Sequence, residues 1–274
     1  RPQFNPVNQY LAEFRKMLLE GRYREGERFF IEKLKENYHG SQKPDPYQPA
    51  FDIKIDMNTT TAFTDYKRTL DFETGEASVE WKEKEDIFYR RLFVSRADNA
   101  VVMEICTSRS KGIDCRLTLD AHDAKGVSSM GSGRDVEGKQ IPFNYEVCSK
   151  SDTITFKAKY GNGDEFGGLA KVVVDGGELQ PIEGHIQVKG ADKVLLICKL
   201  YIYEAADVAL ERLEREIEKL PTDYNELFEK HVCIHKELYN RMTLNLIEED
   251  ALKSNEELLL QAYNGDVPTA IIQR

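Results

Sequence analysis

The sequence predicts a mainly β protein: a large antiparallel β-sandwich, preceded by two short helices and followed by a helical segment. Three observations predict it. Apolar and polar residues alternate after Tyr47, as in Phe51, Ile53, Ile55 and Met57, then Ala77, Val79 and Trp81. A period of two puts one side-chain set on each face of a pleated strand, so this is antiparallel sheet with one buried face. Strand-like runs then recur at intervals of roughly ten residues with glycine turns between them, the pattern of a sandwich and not of a βαβ fold. The period becomes helical before residue 46 and after Tyr203.

In chain order, residues 6–38 read as two helices. Tyr10, Leu11, Phe14, Met17 and Leu18 fall at helical spacing and Gly21 ends the first; Phe29, Phe30, Ile31 and Leu34 carry the second. HGSQKPDP (39–46) is the linker, so 1–46 is a helical N-terminal segment expected to pack on the sandwich. The sandwich spans 47–204. Glu73-Thr74-Gly75-Glu76 is a hairpin tip, and further strands are expected at 100–107, 113–120, 142–148, 152–160, 168–175, 183–189 and 193–203. Val208, Leu210, Leu213, Ile217 and Leu220 mark an amphipathic helix with a Glu211–Arg215 pair, which Pro221 breaks. Asp223 and Glu226 have capping-box spacing, and Leu227, Phe228, Leu238, Tyr239 and Met242 line the next helix. Ser254 and Glu257 form another box, Gly265 closes that helix, and Asp266 with Pro268 starts a fresh one. So late a start, and an Arg at position 1, lead us to expect a fragment of a longer product, with 205–274 the linker and the start of a further domain.

Composition narrows the classes. The 274 residues are 41% hydrophobic and 31% charged, an ordinary globular balance. The net charge of -10 argues against nucleic acid and anionic membrane as partners, and no apolar run is long enough to span a bilayer. Five cysteines (Cys106, Cys115, Cys148, Cys198, Cys233) are odd in number and scattered, which favours reduced, buried thiols and leans towards a cytoplasmic location.

The polar residues inside the alternating stretch carry more information. Tyr47-Gln48-Pro49 opens the first strand, Tyr66, Arg68, Leu70 and Asp71 follow on the next, and then come Tyr89-Arg90 and Phe93-x-Ser95-x-x-Asp98. That order resembles the N-terminal β-domain of glycoside hydrolase family 95, the α-L-fucosidase-like enzymes. Asn5-Pro6, Leu11, Arg15 and Leu18-Leu19-x-Gly21 are similar to the family's helical approach, and 172–203 to its final strands. Leu227, His231, Leu238, Tyr239, Arg241 and Leu244 follow its helical linker. Phe51 departs from the family's usual glycine, and Arg91 from a frequent Glu. The resemblance implies a parent that hydrolyses terminal α-L-fucosyl or α-L-galactosyl linkages by inversion, which separates acid and base by about 6.5–9.5 Å to admit a water. It also implies that this chain is the accessory sandwich, whose partners are its own catalytic (α/α) barrel and an oligo- or polysaccharide. No residue here matches the barrel motifs, so no catalytic residue, cofactor ligand or metal ligand is assigned.

Other constellations have plainer explanations. His231-x-Cys233-x-His235 places two imidazoles on one helix face, as zinc sites do, but His231 is also a position of the linker pattern and no third ligand is evident. Gly161-Asn162-Gly163 with Gly167-Gly168 lacks the helix that a phosphate loop feeds, and reads, like Gly131-Ser132-Gly133, as turn or loop. Arg90 and Arg91 lie on opposite faces, so at most one could meet a sugar or carboxylate; surface or interdomain pairing is the expectation. Trp81 reads as core. His39, His122 and His185 carry no signal. The competing functions are a stand-alone carbohydrate-binding sandwich, which needs exposed aromatic residues on one face, and catalysis through carboxylates of the sheet. Apolar faces of 205–250 are expected to be partly exposed, which strong binding of a hydrophobic dye would reveal.

Overall fold

The computed structural model describes residues 7–37, 49–57, 62–122, 143–243, 253–268 and 270–271. Tyr47, Gln48, the 39–46 linker, His39, Leu244 and the 131–133 glycine turn lie outside them. The chain divides into two compact units, 1–48 and 49–274.

The first unit is a helical hairpin: a 3-10 turn at Val7–Tyr10, α1 (Leu11–Leu19) and α2 (Tyr23–Asn37). Gly21 takes φ +76° between the helices, a conformation that costs glycine nothing. The predicted apolar rows meet as aromatic pairs, Tyr10 against Phe29 at 6.2 Å and Phe14 stacked on Phe30 at 4.8 Å.

The second unit holds two antiparallel sheets. In chain order the strands are β1 (Asp52–Met57), β2 (Phe63–Asp71), β3 (Glu76–Glu83), β4 (Asp86–Ser95), β5 (Ala100–Thr107), β6 (Ile113–Asp120), β7 (Phe143–Lys150), β8 (Thr153–Tyr160), β9 (Glu165–Asp175), β10 (Glu178–Ile182), β11 (His185–Ala191) and β12 (Lys193–Ile202). The small sheet has the order β1-β6-β11-β10 and the large one β2-β3-β4-β5-β12-β9-β8-β7. Their facing sides form a dry core of Ile105, Leu117, Ile154, Phe156, Ile186 and Leu196, with Phe51, Ile53, Ile55 and Met57 packed against it. The alternation of the first strand therefore points where it should. Trp81 is buried and stacked on Phe88 at 5.4 Å, as its spacing predicts.

Four expectations change. The 183–189 run is β11, and a further strand that the pattern does not predict, β10, precedes it; Pro181 sits in β10, whose place at the edge of the small sheet makes a missing N–H harmless. Gly167 and Gly168 lie within β9, not in a loop. A Cβ on Gly167 would stand 2.0 Å from the Phe156 carbonyl oxygen, and one on Gly168 2.7 Å from the Phe51 ring. β2 alternates in sequence yet is exposed along its whole length, since the small sheet packs over β7, β8 and β9 at the other side. Finally, all five cysteines are free but Cys148 and Cys233 are exposed. Burial pushes the Cys115 and Cys198 thiols up to about 12, so those two are inert.

On the outer face of the large sheet lie α3 (Ala206–Ile217) and α4 (Tyr224–Tyr239), and α5 (Asn255–Tyr263) follows. The Ser254 box is complete, with both reciprocal hydrogen bonds. Asp223 caps α4 through the Glu226 N–H at 2.9 Å, while the Glu226 carboxylate turns to Lys230. Arg215 donates to the Glu211 backbone carbonyl at 3.1 Å and not to its side chain. Among the described residues no helix is long and apolar enough to cross a membrane.

Candidate functional site

The chemistry-bearing side chains converge on the seam where α3 and α4 dock. The apolar floor is Phe93, Val102, Leu169, Leu195, Ile197 and Tyr201 from the sheet, alternate residues to those facing the dry core. Ala209, Leu210, Leu213 and Ile217 of α3, and Tyr224 and Leu227 of α4, cover it.

Polar anchors fix the helices on this floor. Ala205 offers α3 no side-chain cap, and Glu165 of β9 takes the role by accepting the Ala206 N–H at 2.7 Å. Lys159, then that N–H, hold the Glu165 carboxyl below its ordinary pKa. Lys199, only 7% exposed within β12, reaches Glu216 of α3 at 2.7 Å, and Arg212 binds the same carboxylate at 2.9 Å. Lys199 first and Arg212 second depress the Glu216 pKa.

Arg91 is the centre of the second anchor. Its guanidinium donates twice to Oε1 of Glu104, at 2.9 and 2.8 Å, and once to Asn225 Oδ1 at 2.9 Å. It also lies 3.9 Å over the Tyr224 ring. Burial works against its charge, and the hydrogen bond and charge of Glu104 outweigh that, so its pKa rises. The Tyr224 hydroxyl donates to Glu76 Oε1 at 2.8 Å. Burial first, then that bond, pushes its pKa up.

The third anchor is a histidine clasp. His231 stacks on Phe93 at 4.9 Å; its Nε2 meets the Thr74 carbonyl at 2.9 Å and its Nδ1 accepts the Arg96 N–H at 3.2 Å. One turn on, His235 Nε2 meets the Phe72 carbonyl at 2.9 Å and Nδ1 accepts Arg96 Nε–H at 3.3 Å. Both rings are thus Nε2–H tautomers by their partners. The hairpin tip they grip is held by Asp71, which accepts the N–H groups of Glu73 and Thr74 at 2.9 and 3.1 Å. Gly75 needs to be glycine here: φ is +70°, and a Cβ would come within 3.1 Å of both imidazoles. Ser95 and Asp98, hydrogen-bonded to each other at 2.9 Å, shape the turn that presents Arg96.

These residues bind helices. The imidazole lone pairs are occupied, the carboxylates are paired, and no group of three His, Cys, Asp or Glu among the described residues could hold a metal. The 231/235 pair that resembled a zinc site is a structural clasp. Of the sequence candidates, Ser95, Asp98 and Arg91, which pairs with Glu104 of the neighbouring strand and with Asn225 of α4, join the seam. Tyr66, Arg68 and Leu70 do not, since they lie on exposed β2. His122 pairs with Asp52 at 2.8 Å on the other side of the sandwich. Glu104, Lys199, Tyr224 and Arg96 were not foreseen, although a charged residue inside AVVMEICT or KVLLICKLYI is a visible signal of a buried partner.

Comparison with known proteins places this architecture. Over 260 aligned residues the chain is 24% identical to Alpha-L-fucosidase 2 of Arabidopsis thaliana, covering 86% of this chain and 30% of that protein. The chain therefore spans less than a third of this curated relative. Among solved structures, a protein described as a kojibiose phosphorylase from the human microbiome superposes with a TM-score of 0.47 at 12% identity, covering 71% of this chain and 28% of that one. A bacterial glucoamylase complexed with acarbose gives 0.41 at 11% identity, covering 68% and 31%. The sequence profile of the family described as Glycosyl hydrolase family 65, N-terminal domain, matches residues 2–201. The chain belongs to that family.

Proposed function

We propose that this chain is the non-catalytic sandwich and helical linker of a family-95-like hydrolase whose parent cleaves terminal α-L-fucosyl, or related α-L-galactosyl, linkages with inversion. One observation carries the choice of substrate. The alignment to the fucosidase covers 86% of the chain, too much to stop at residue 201 where the family profile ends, so the likeness extends into the helices. The physical role is bracing. Polar anchors fix α3 and α4 on the sheet, while Leu238, Tyr239 and Met242 stay 38%, 47% and 89% exposed, a surface suited to a following catalytic domain.

The test uses the parent protein and this chain side by side. The parent should release an aryl aglycone from an α-L-fucoside, with proton NMR showing β-L-fucose as the first-formed anomer, while this chain alone is inactive. Retention of configuration, preference for an α-glucoside, or turnover by this chain alone would each overturn the reading. A second reading, saccharide binding by the sandwich itself, is favoured by exposed Phe63 and Tyr66 on β2, whose rings lie 5.7 Å apart. Calorimetry with fucosylated oligosaccharides decides it; no heat of binding at millimolar ligand removes it.

A further inference from the structure

The histidine clasp has a chemistry that its bracing role does not require. Each ring uses Nε2–H to donate to a backbone carbonyl of the β2–β3 tip, and its Nδ1 lone pair to accept from Arg96. A neutral imidazole can do both at once. An imidazolium has two N–H groups and no lone pair, so protonation sets an N–H of each ring against a donor of Arg96.

Charge makes the same point. The rings lie 5.2 Å apart, so two protons would place two cations beside the Arg96 guanidinium. The acidic groups around the clasp are engaged elsewhere. On the β2–β3 tip, Glu73 pairs with Lys236 at 3.3 Å and Asp71 caps the turn. On the β4–β5 turn, Asp98 is held by Ser95. On α4, Glu226 binds Lys230 and Glu237 binds Arg241. Deeper in the seam, Glu76 takes the Tyr224 hydroxyl and Glu104 takes Arg91.

We infer that His231 and His235 form a proton-operated clasp, which fastens α4 to the β2–β3 and β4–β5 turns when neutral and releases it when protonated. The electrostatics of His231 agree. Burial, with smaller contributions from His235 and Arg96, lowers its pKa against the opposing pull of the Thr74 carbonyl. A base with a depressed pKa in the docked state binds its proton better once released. Docking is therefore strongest above the ordinary histidine value of 6.5 and weakens as pH falls below it. Phe93, covered by His231, and the backbone of the hairpin tip become accessible on release. None of this depends on which sugar the parent cleaves.

Hydrogen exchange on the whole 274-residue chain tests the clasp, after correction for intrinsic rates. A single proton taken up on release changes the docking equilibrium by up to about tenfold per pH unit. Between pH 7.5 and 5.5, α4 protection should fall relative to β12, by up to about tenfold for one such proton. In a His231→Gln/His235→Gln variant, whose amides donate and accept without titrating, it should not change with pH. Unchanged α4 protection in the native chain, or a pH dependence that survives in the variant, overturns the proposal. Should the variant not fold, NMR titration of the native chain decides. A His231 imidazole titrating below 6.5 together with the Thr74 and Arg96 amides supports the clasp, and one titrating at or above that value overturns it.

Discussion

The two faces of the large sheet are built from the same strands and held by different physics. Toward the small sheet, alternate residues of β5, β8, β9 and β12 bury only apolar side chains, among them Ile105, Phe156, Val172 and Leu196. Toward the helices, the intervening residues of those strands include Glu104 and Lys199, each under 8% exposed, beside Val102, Leu195 and Ile197. Burial of apolar area is non-directional and stabilises any arrangement that excludes water. Charged hydrogen bonds between Arg91, Glu104 and Asn225 are directional, and in our reading they set where and at what angle the helices lie. One face thus supplies bulk stability and the other supplies orientation.

Removing the centre of the dry face should have the largest effect. Phe156 is fully buried and packs on Phe51 and Tyr145 at 5.1 and 5.2 Å. We expect Phe156→Ala to cost about 3–5 kcal/mol. Urea denaturation followed by Trp81 fluorescence and far-UV circular dichroism should shift together, because both sheets share this core. A loss below about 1 kcal/mol would show that the inner face is not the main source of stability.

The helix face should respond differently. Arg91→Ala leaves Glu104, 4% exposed, with only Lys193 at 3.9 Å, and should cost about 3 kcal/mol. The loss should appear first as exchange in α4 and only later in β12, since the dry core is untouched. Adding Glu104→Leu should recover part of it, because the stranded charge is then gone. Strictly additive effects of the two substitutions would contradict a coupled anchor.

The same contrast explains what the sequence made legible. Inner-face residues follow a local rule, period two, so Phe51, Ile53, Val79 and Trp81 could be placed from their neighbours alone. The anchors follow no local rule. Arg91 and Asn225 are far apart in sequence, and the Thr74 carbonyl that His231 grips is a backbone atom with no sequence signature at all. Lys199 and Glu104 announced a buried charge without naming its partner. β2 misled for a related reason: alternation shows that a strand has two faces, and only the third dimension shows whether anything covers them. The Phe93-x-Ser95-x-x-Asp98 pattern was visible as a family mark, while its work, holding Arg96 for the clasp, needed the fold.

The smallest expected effect tests the placement of α3. Grouping Val208 with Leu210, Leu213, Ile217 and Leu220 treats five apolar residues as one stripe. At about 100° per residue, Leu210 to Leu220 cluster within roughly 80° of one another and Val208 falls on the far side. The structure agrees, with Val208 61% exposed and Leu213 1%. Val208→Ser should therefore move stability by no more than about 0.5 kcal/mol, whereas Leu213→Ala should cost about 2–5 kcal/mol. Urea midpoints measured at constant slope separate the two outcomes. A cost for Val208→Ser approaching that of Leu213→Ala would mean that α3 buries a second face in solution, and the helix side of the sheet would then need a covering layer beyond α3 and α4.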